Sequence, residues 1–237
     1  MIYIITHKKV PIRPPFWSGH QLLQVGAATG GQIYPLTDAV GEHISGKNKT
    51  FCELTGLYWI WKNRRDDIIG LVHYRRFFVR NVWHKIAGRI PVELRLVTMG
   101  RARKILENCD MIVPKKFCYG TTVWENYSRE HHECDLVTIE QIISERCPEY
   151  LPAFREILHG NEIYGCNMFV AKAELVDKYC SWLFEILFEA EQRIDISEYT
   201  PYQQRVFGFL SERLFNVYLR HHRLSVCEIA VDFLGDI

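Results

Sequence analysis

The sequence lacks several features that would assign a chemistry directly. Its eight cysteines form no Cys-x-x-Cys pair, which argues against a zinc ribbon or a redox motif. The glycine-rich stretch QVGAATGG (24–31) matches neither a P-loop nor the Gly-x-Gly-x-x-Gly fingerprint, and it is interpreted as a flexible loop over a site. We find no internal repeat and no low-complexity tract. What remains is a globular protein with free thiols.

Neither sign of charge is in excess, and long hydrophobic runs are missing. The 29 Lys+Arg against 28 Asp+Glu give a net charge of +1, so no overall field attracts nucleic acid. The amino terminus MIYIITHKKV carries too short an apolar run for a signal peptide or a membrane span. We therefore expect a cytoplasmic protein. With 237 residues, 48% of them hydrophobic, it can bury one large core.

Short apolar runs alternate with helical patterns along the chain. Strands are predicted at 2–6 (IYIIT), 67–74 (DIIGLVHY), 110–114 (DMIVP) and 165–171 (GCNMFVA). A long amphipathic helix is predicted over 173–194. This order favours an α/β fold, a sheet flanked by helices in a single domain.

Helix starts have recognisable side-chain patterns. Thr50 with Glu53, and Thr138 with Gln141, fit the capping box, in which two side chains satisfy the first free N–H groups of a helix. Thr200, followed by proline, gives a third start signal. Three helices are predicted to begin at these residues.

The stretch GLVHYRRFF places four polar side chains after a buried strand: His73, Tyr74, Arg75 and Arg76. Ligands of open α/β sheets bind beyond the carboxyl ends of the strands, and guanidinium groups bind phosphate through paired hydrogen bonds. Strand alternation sends Arg75 and Arg76 to opposite faces, so we expect one arginine at an anion and its neighbour against a helix. The alternative for each is a salt bridge to a nearby carboxylate.

Several segments together carry a family resemblance. These are ITHKKV, VGAA, ISGKNKTFCELTGLYWIWKN, DIIGLVHYRRFF, YGCNMFVA and RVFGFLSERLFNVYL. With them the chain resembles a bacterial glycosyltransferase family that was first catalogued as a domain of unknown function. That family occurs in capsular, exopolysaccharide and O-antigen gene clusters, and some members resemble galactofuranosyltransferases.

The resemblance implies a GT-A-like fold, a Rossmann-type nucleotide-sugar-binding sheet flanked by helices in a single domain over 1–237. Within it, 1–115 would form the nucleotide-sugar-binding half and 116–237 the acceptor-side helical half. The strand pattern agrees with this fold.

A donor-binding set follows from the resemblance and the strand ends. Thr6 offers a hydroxyl and Lys8 approaches a phosphate, while Lys47 and Asn48 precede a helix start. Asn167 lies inside an apolar run, where it either fixes a bend or contacts a sugar hydroxyl. The predicted set is Thr6, His7, Lys8, Lys47, Asn48, His73, Tyr74, Arg75, Arg76 and Asn167.

The catalytic residues are predicted on the helix that follows residue 201. Arg205 and Glu212 share one helical stripe with a glycine between them. Glu212 is predicted to take the proton of the acceptor hydroxyl, with an ion pair to Arg205 or Arg213 as the alternative role. Asp195 and Glu198, in the preceding loop, are the rival bases.

Many GT-A enzymes hold a divalent metal with Asp-x-Asp after a central strand, and no such motif occurs near His73. Metal-independent donor binding is therefore predicted, with no metal-site residues assigned. His73 leaves a mixed His/carboxylate site for Mn²⁺ or Mg²⁺ open.

The predicted reaction moves a hexose, with galactofuranose or galactose favoured, from a UDP-sugar to an acceptor glycan. The acceptor would be a growing surface polysaccharide or a polyprenyl-diphosphate-linked glycan, reached through peripheral contact with the inner face of the cell membrane. No nucleic acid is expected as partner. The alternative is a non-catalytic sugar- or nucleotide-binding module of the same fold.

Overall fold

A computed structural model describes residues 1–12, 14–80 and 90–233 of the chain. The described strands are β1 (Ile2–Thr6), β2 (His20–Gln24), β3 (Ile68–His73), β4 (Arg76–Phe78), β5 (Met111–Pro114), β6 (Phe117–Cys118), β7 (Glu162–Ile163), β8 (Phe169–Lys172), β9 (Val226–Ile229) and β10 (Val231–Phe233). The described helices are α1 (Ala27–Gly30), α2 (Asn48–Phe51), α3 (Leu54–Asn63), α4 (Val92–Arg95), α5 (Met99–Ile105), α6 (Val123–Glu130), α7 (Glu133–Arg146), α8 (Leu151–His159), α9 (Ala173–Arg193) and α10 (Val206–His221).

The central sheet runs in the order β2-β1-β3-β8-β5-β9. β1 pairs in parallel with β2 and β3, and β5 pairs in parallel with β9. β8 is antiparallel to both β3 and β5, so it alone of these six strands runs against the others. β4 and β10 extend the sheet at the end of β3. The carboxyl ends of β1, β2 and β3 therefore lie at one edge.

Both faces of the sheet are buried, which is why its strands are continuous apolar runs. Tyr3, Ile5 and Leu71 pack on one face against buried side chains of α3, α9 and α10. Ile4 and Val72 pack on the other face with residues of α4 and α5. The predicted single-domain α/β fold is confirmed. Among the described residues, no helix combines the length and the apolar composition needed to cross a membrane.

The predicted strands and the long helix are confirmed with one correction. The run predicted as a strand over 165–171 becomes extended only at Phe169. Cys166 and Asn167 have φ of 72° and 46°, a left-handed conformation that interrupts a strand. The strands β2, β4, β6, β7, β9 and β10 were not predicted.

Two of the predicted helix starts are wrong. The Thr50 hydroxyl donates to the Lys47 carbonyl, and α3 starts only at Leu54, without a side-chain cap. Thr138 lies inside α7, where its hydroxyl bonds the Cys134 carbonyl. The side chain of Glu53 therefore does not cap a helix, although the sequence pattern predicts that it does.

The third start lies later in the chain than predicted, and a further one was missed. The Thr200 hydroxyl accepts the Gln203 N–H at 3.3 Å, but the 3-10 turn begins at Gln203 and α10 only at Val206. A complete capping box joins Thr122 and Glu125 at the start of α6.

Candidate functional site

The stretch HYRR forms a tight hairpin at the carboxyl edge of the sheet. β3 ends at His73, and β4 begins at Arg76, which pairs with His73 across the turn. The chain reverses within two residues, and Arg75 and Arg76 both line the same cavity, although strand alternation predicted them on opposite faces.

That cavity has a volume of about 380 Å³ and lies beyond the ends of β1, β2 and β3. Among the residues that the structure describes there, Lys49, Arg75, Arg76 and Arg205 are cationic and Glu53 carries the one carboxylate. Such an excess of positive charge in a concave site attracts anions. The other described lining residues are Ile5, Thr6, His7, Val25, Asn48, Cys52, His73 and Tyr74.

The glycine-rich loop after β2 is held by a buried carboxylate. Asp38 is fully buried and accepts hydrogen bonds from the Gly26 N–H at 3.0 Å, the Ala27 N–H at 3.3 Å and the Ser45 hydroxyl at 2.5 Å. Gly26 has φ 70°, and a Cβ there would lie 2.7 Å from Oδ1 of Asn48. The loop therefore needs glycine to pack against this cavity-lining asparagine.

A compact turn follows β1. The Thr6 hydroxyl donates to the Lys8 carbonyl at 2.6 Å and accepts the Lys8 N–H at 3.2 Å. The ring of His7 meets Tyr74 edge-on at 5.4 Å, and Lys8 Nζ lies 5.4 Å from the Tyr74 ring centroid. Loss of surrounding water, followed by nearby positive charges, lowers the pKa of His7. This turn presents a neutral imidazole at the cavity.

The side chain of His73 is held by a hydrogen bond to Cys166, which has a left-handed backbone conformation. Its Nε2 lies 2.5 Å from the Cys166 carbonyl oxygen, and because a carbonyl only accepts, Nε2 carries the hydrogen. Burial lowers the pKa of His73, and the charge of Arg76 adds to the effect while Glu53 opposes it. His73 therefore enters the site as a neutral ring with Nδ1 as its acceptor.

Two guanidinium groups approach the cavity from different elements. The Nε of Arg76 is buried and has no hydrogen-bond partner among the described residues, while its guanidinium lies 5.5 Å from the Phe233 ring. Arg205, just before α10, donates from Nε to Cys52 Sγ at 3.2 Å and lies over the Tyr202 ring at 5.7 Å. A buried donor without a partner is costly, so an anionic ligand is the expected acceptor for Arg76.

Asn167 connects the cavity to α10. Its amide nitrogen donates to Glu53 Oε1 at 2.6 Å, Ser211 Oγ at 2.8 Å and the Gly208 carbonyl at 3.3 Å. The residue is 3% exposed, and it is not among the described cavity-lining residues. Its contacts match the first predicted role, fixing a bend.

Glu212 lies on α10, and it is not among the described residues that line the cavity. Its Oε1 accepts the Cys166 N–H at 2.9 Å, and Oε2 lies 3.4 Å from Nη1 of Arg213. The side chain is 26% exposed. Burial raises the pKa of Glu212, and the charge of Glu53 adds to the rise, against the attraction of Arg213. Glu212 and His73 thus hold the same residue, one through its N–H and one through its carbonyl.

Five predicted site residues are not among the described residues that line the cavity: Lys8, Lys47, Asn167, Asp195 and Glu212. Lys47 Nζ bonds Glu191 at 2.5 Å, and Asp195 accepts the Ser197 N–H at 2.9 Å on the exposed surface. Conversely, the sequence analysis missed the lining residues Lys49, Cys52 and Glu53, and Glu53 was concealed by its apparent capping pattern.

The side chains that line the cavity are a poor set of ligands for a metal ion. Within the described part of the chain, no group of three or more His, Cys, Asp or Glu side chains could hold a metal ion. The cavity offers the carboxylate of Glu53, the rings of His7 and His73 and the thiol of Cys52, beside three guanidinium groups. Divalent cations prefer several oxygen ligands, so this chemistry suits a phosphate better.

A larger cavity of about 760 Å³ lies at the opposite end of β3. Its charges are largely paired: Arg103 bonds Asp67 at 2.8 Å, and Asp66 accepts the Tyr3 hydroxyl at 2.6 Å and contacts Arg64 at 3.5 Å. The smaller cavity has the unbalanced charge, and it is the better candidate site.

Comparison with known proteins identifies a family and a related fold. The family described as "Domain of unknown function (DUF4422)" matches residues 1–223. A solved structure described as a WbbM bifunctional glycosyltransferase, in its apo form, superposes with a TM-score of 0.84 and 28% sequence identity. The match covers 99% of this chain and 45% of that one, so the chain spans less than half of its length. The GT-A-like fold prediction is confirmed. No curated protein matches.

Proposed function

We infer that the chain, which belongs to the DUF4422 family, is a glycosyltransferase whose donor is a sugar nucleotide. The observation that carries the proposal is the cationic cavity at the carboxyl edge of three parallel strands. The likeness to a glycosyltransferase over 99% of the chain supports the same class of reaction.

The diphosphate of the donor is assigned to the guanidinium groups. Arg76 supplies a buried N–H without a partner in the described chain, and Arg75 and Arg205 lie in the same cavity. Together they neutralise a diphosphate, which is the role a divalent metal plays in many sugar-nucleotide enzymes. We therefore propose metal-independent donor binding. A UDP-hexose is the proposed donor, with galactofuranose or galactose favoured by the family resemblance.

The transfer step forms a bond between an acceptor oxygen and the anomeric carbon and breaks the bond from that carbon to the diphosphate. UDP leaves with the electron pair, and the acceptor hydroxyl loses a proton. Glu212 is the proposed base because its side chain is partly exposed and accepts the N–H of Cys166, which lines the recess of Phe117 and Phe233. Its rival Asp195 lies on the exposed surface, bonded to Ser197.

The acceptor is assigned to an apolar recess next to this cavity. The recess has a volume of about 230 Å³ and is lined by Cys166, Lys116, Phe117 and Phe233 among others. Phe117 is 46% and Phe233 58% exposed, and Phe233 lies beneath the guanidinium of Arg76. Exposed aromatic rings suit the apolar faces of sugars. The proposed acceptor is a growing surface polysaccharide or a polyprenyl-diphosphate-linked glycan, which the protein would meet at the inner face of the cell membrane.

A donor screen tests the proposal. The protein is incubated with a panel of UDP-hexoses and lipid-linked or free glycan acceptors, and products are read by mass spectrometry in EDTA and in Mn²⁺ or Mg²⁺. We expect glycan extension by one hexose and release of UDP, undiminished in EDTA. UDP binding without transfer to any acceptor would indicate a binding module, and activity that needs added metal would contradict metal-independent binding.

A further inference from the structure

Glu53 is the one carboxylate among the described residues of a cavity with four cationic side chains. It directly precedes α3, and its Oε1 accepts the Asn167 amide at 2.6 Å. Its Oε2 accepts no hydrogen bond from the described residues. One oxygen of this carboxylate is therefore fixed, and the residue lines a cavity of about 380 Å³.

The partner that fixes Glu53 is itself rigid. Asn167 is almost fully buried and bonds Ser211 and the Gly208 carbonyl on α10. The Ser211 hydroxyl also donates to the Gly208 carbonyl at 2.8 Å. This network ties Glu53 to α10, so the carboxylate needs little reorganisation when a ligand binds.

A carboxylate in this position repels a diphosphate, so the phosphates do not explain it. A sugar moiety does, because its hydroxyl groups donate hydrogen bonds and its anomeric carbon becomes positively charged as the bond to the diphosphate breaks. We propose that Glu53 contacts the sugar moiety of the donor: Oε2 accepts a hydrogen bond from a sugar hydroxyl, and its charge stabilises the developing positive charge. This inference rests on the proposed function, and it makes Glu53 a catalytic residue that also selects the donor sugar.

The competing explanation is that Glu53 only holds Asn167 in place. Glu53→Gln separates the two explanations, since the side-chain carbonyl of the substituted residue still accepts the Asn167 amide but the charge is lost. Ser211→Ala is the matched control, because it removes a different partner of Asn167 and does not alter the cavity lining.

The experiment compares the Kd of UDP with the Kd of UDP-galactose and UDP-galactofuranose, by calorimetry without acceptor, and then measures turnover. In Glu53→Gln we expect the affinity for UDP to be kept or to increase, because UDP lacks the sugar and the substitution removes a charge that repels its diphosphate. The affinity that the sugar adds to UDP should fall at least about tenfold, the scale of a hydrogen bond to a charged group. Turnover should fall roughly 10²-fold or more.

Ser211→Ala should lower thermal stability but keep the affinity that the sugar adds. If Glu53→Gln keeps both that affinity and its turnover while UDP still binds, the Glu53 contact is wrong and the proposed function stands. If both variants lose the same amount of sugar-dependent affinity and turnover, the role of Glu53 is only to hold Asn167 in place. If the unmodified protein binds neither UDP nor any UDP-sugar, the proposed function and this inference are both wrong.

Discussion

Arg76→Met tests the donor site, because it should stabilise the unliganded protein and weaken the binding of UDP. The substitution keeps an unbranched apolar stem over the Phe233 ring but deletes a guanidinium whose buried Nε has no partner in the described chain. The unliganded protein should tolerate the change, whereas binding of UDP should not.

The magnitudes follow from the contacts. Deleting an unsatisfied buried donor recovers about 1–3 kcal/mol, against about 0.5–1 kcal/mol for the exposed cation–π contact with Phe233. The free energy of unfolding without ligand should therefore rise by about 1 kcal/mol, or about 2–4 °C in Tm. A charge-assisted hydrogen bond to phosphate contributes about 1.5–3 kcal/mol, so the Kd of UDP should increase roughly 10- to 150-fold.

Differential scanning fluorimetry and UDP calorimetry measure the two quantities. Arg103→Met is the matched control, because Arg103 lies at the opposite end of β3 in an exposed ion pair with Asp67. The control should leave the Kd of UDP unchanged. A folded Arg76→Met protein that binds UDP as tightly as the unmodified protein would refute the assignment of the diphosphate to Arg76.

Three further predictions concern other parts of the account. Glu212→Gln should lower turnover roughly 10²-fold and leave the Kd of UDP unchanged; near-normal turnover would exclude Glu212 as the base. Burial raises the pKa of Glu212, so the stability from its protonated form is fully present below its ordinary value of 4.5 and is lost as pH rises through the raised pKa. Urea unfolding at several pH values should therefore show Glu212→Gln gaining stability relative to the unmodified protein as pH rises above about 4.5, and a constant difference would contradict the shift. Asp38→Ala leaves the Gly26 N–H and the Ser45 hydroxyl without their acceptor and should cost about 2–4 kcal/mol in urea unfolding, whereas a cost near zero would mean that water replaces the carboxylate.

Some strands could be predicted because a single sequence feature, a continuous apolar run, is sufficient to identify them. β1 and β3 are buried on both faces, so their sequences are unbroken apolar runs. The polar residues after β3 were predicted to form a site because a fold does not require a cluster of charged side chains at the end of a strand, and they line the candidate cavity. β2 was not predicted because it ends with the polar residue Gln24. Gln24 is nevertheless buried, since its amide bonds residues of the following loop such as Gly31.

The remaining features depend on tertiary contacts that no local pattern encodes. Cys166 and Asn167 adopt left-handed φ although neither is glycine, and His73, Glu212 and Ser211 hold them there. These partners come from distant parts of the chain, so spacing could not predict the bend.

Glu53 illustrates the limit of motif reading. It matches a capping box in spacing and residue type, yet its carboxylate bonds Asn167. The spacing alone does not distinguish a helix cap from a site carboxylate.

The location of bound UDP tests the central claim most directly. A crystal structure of the protein soaked with UDP should place the diphosphate within hydrogen-bond distance of Arg76 and Arg205 at the carboxyl edge of β1 and β3. Diphosphate bound instead in the larger cavity at the opposite edge, between Arg103 and Lys172, would contradict the account.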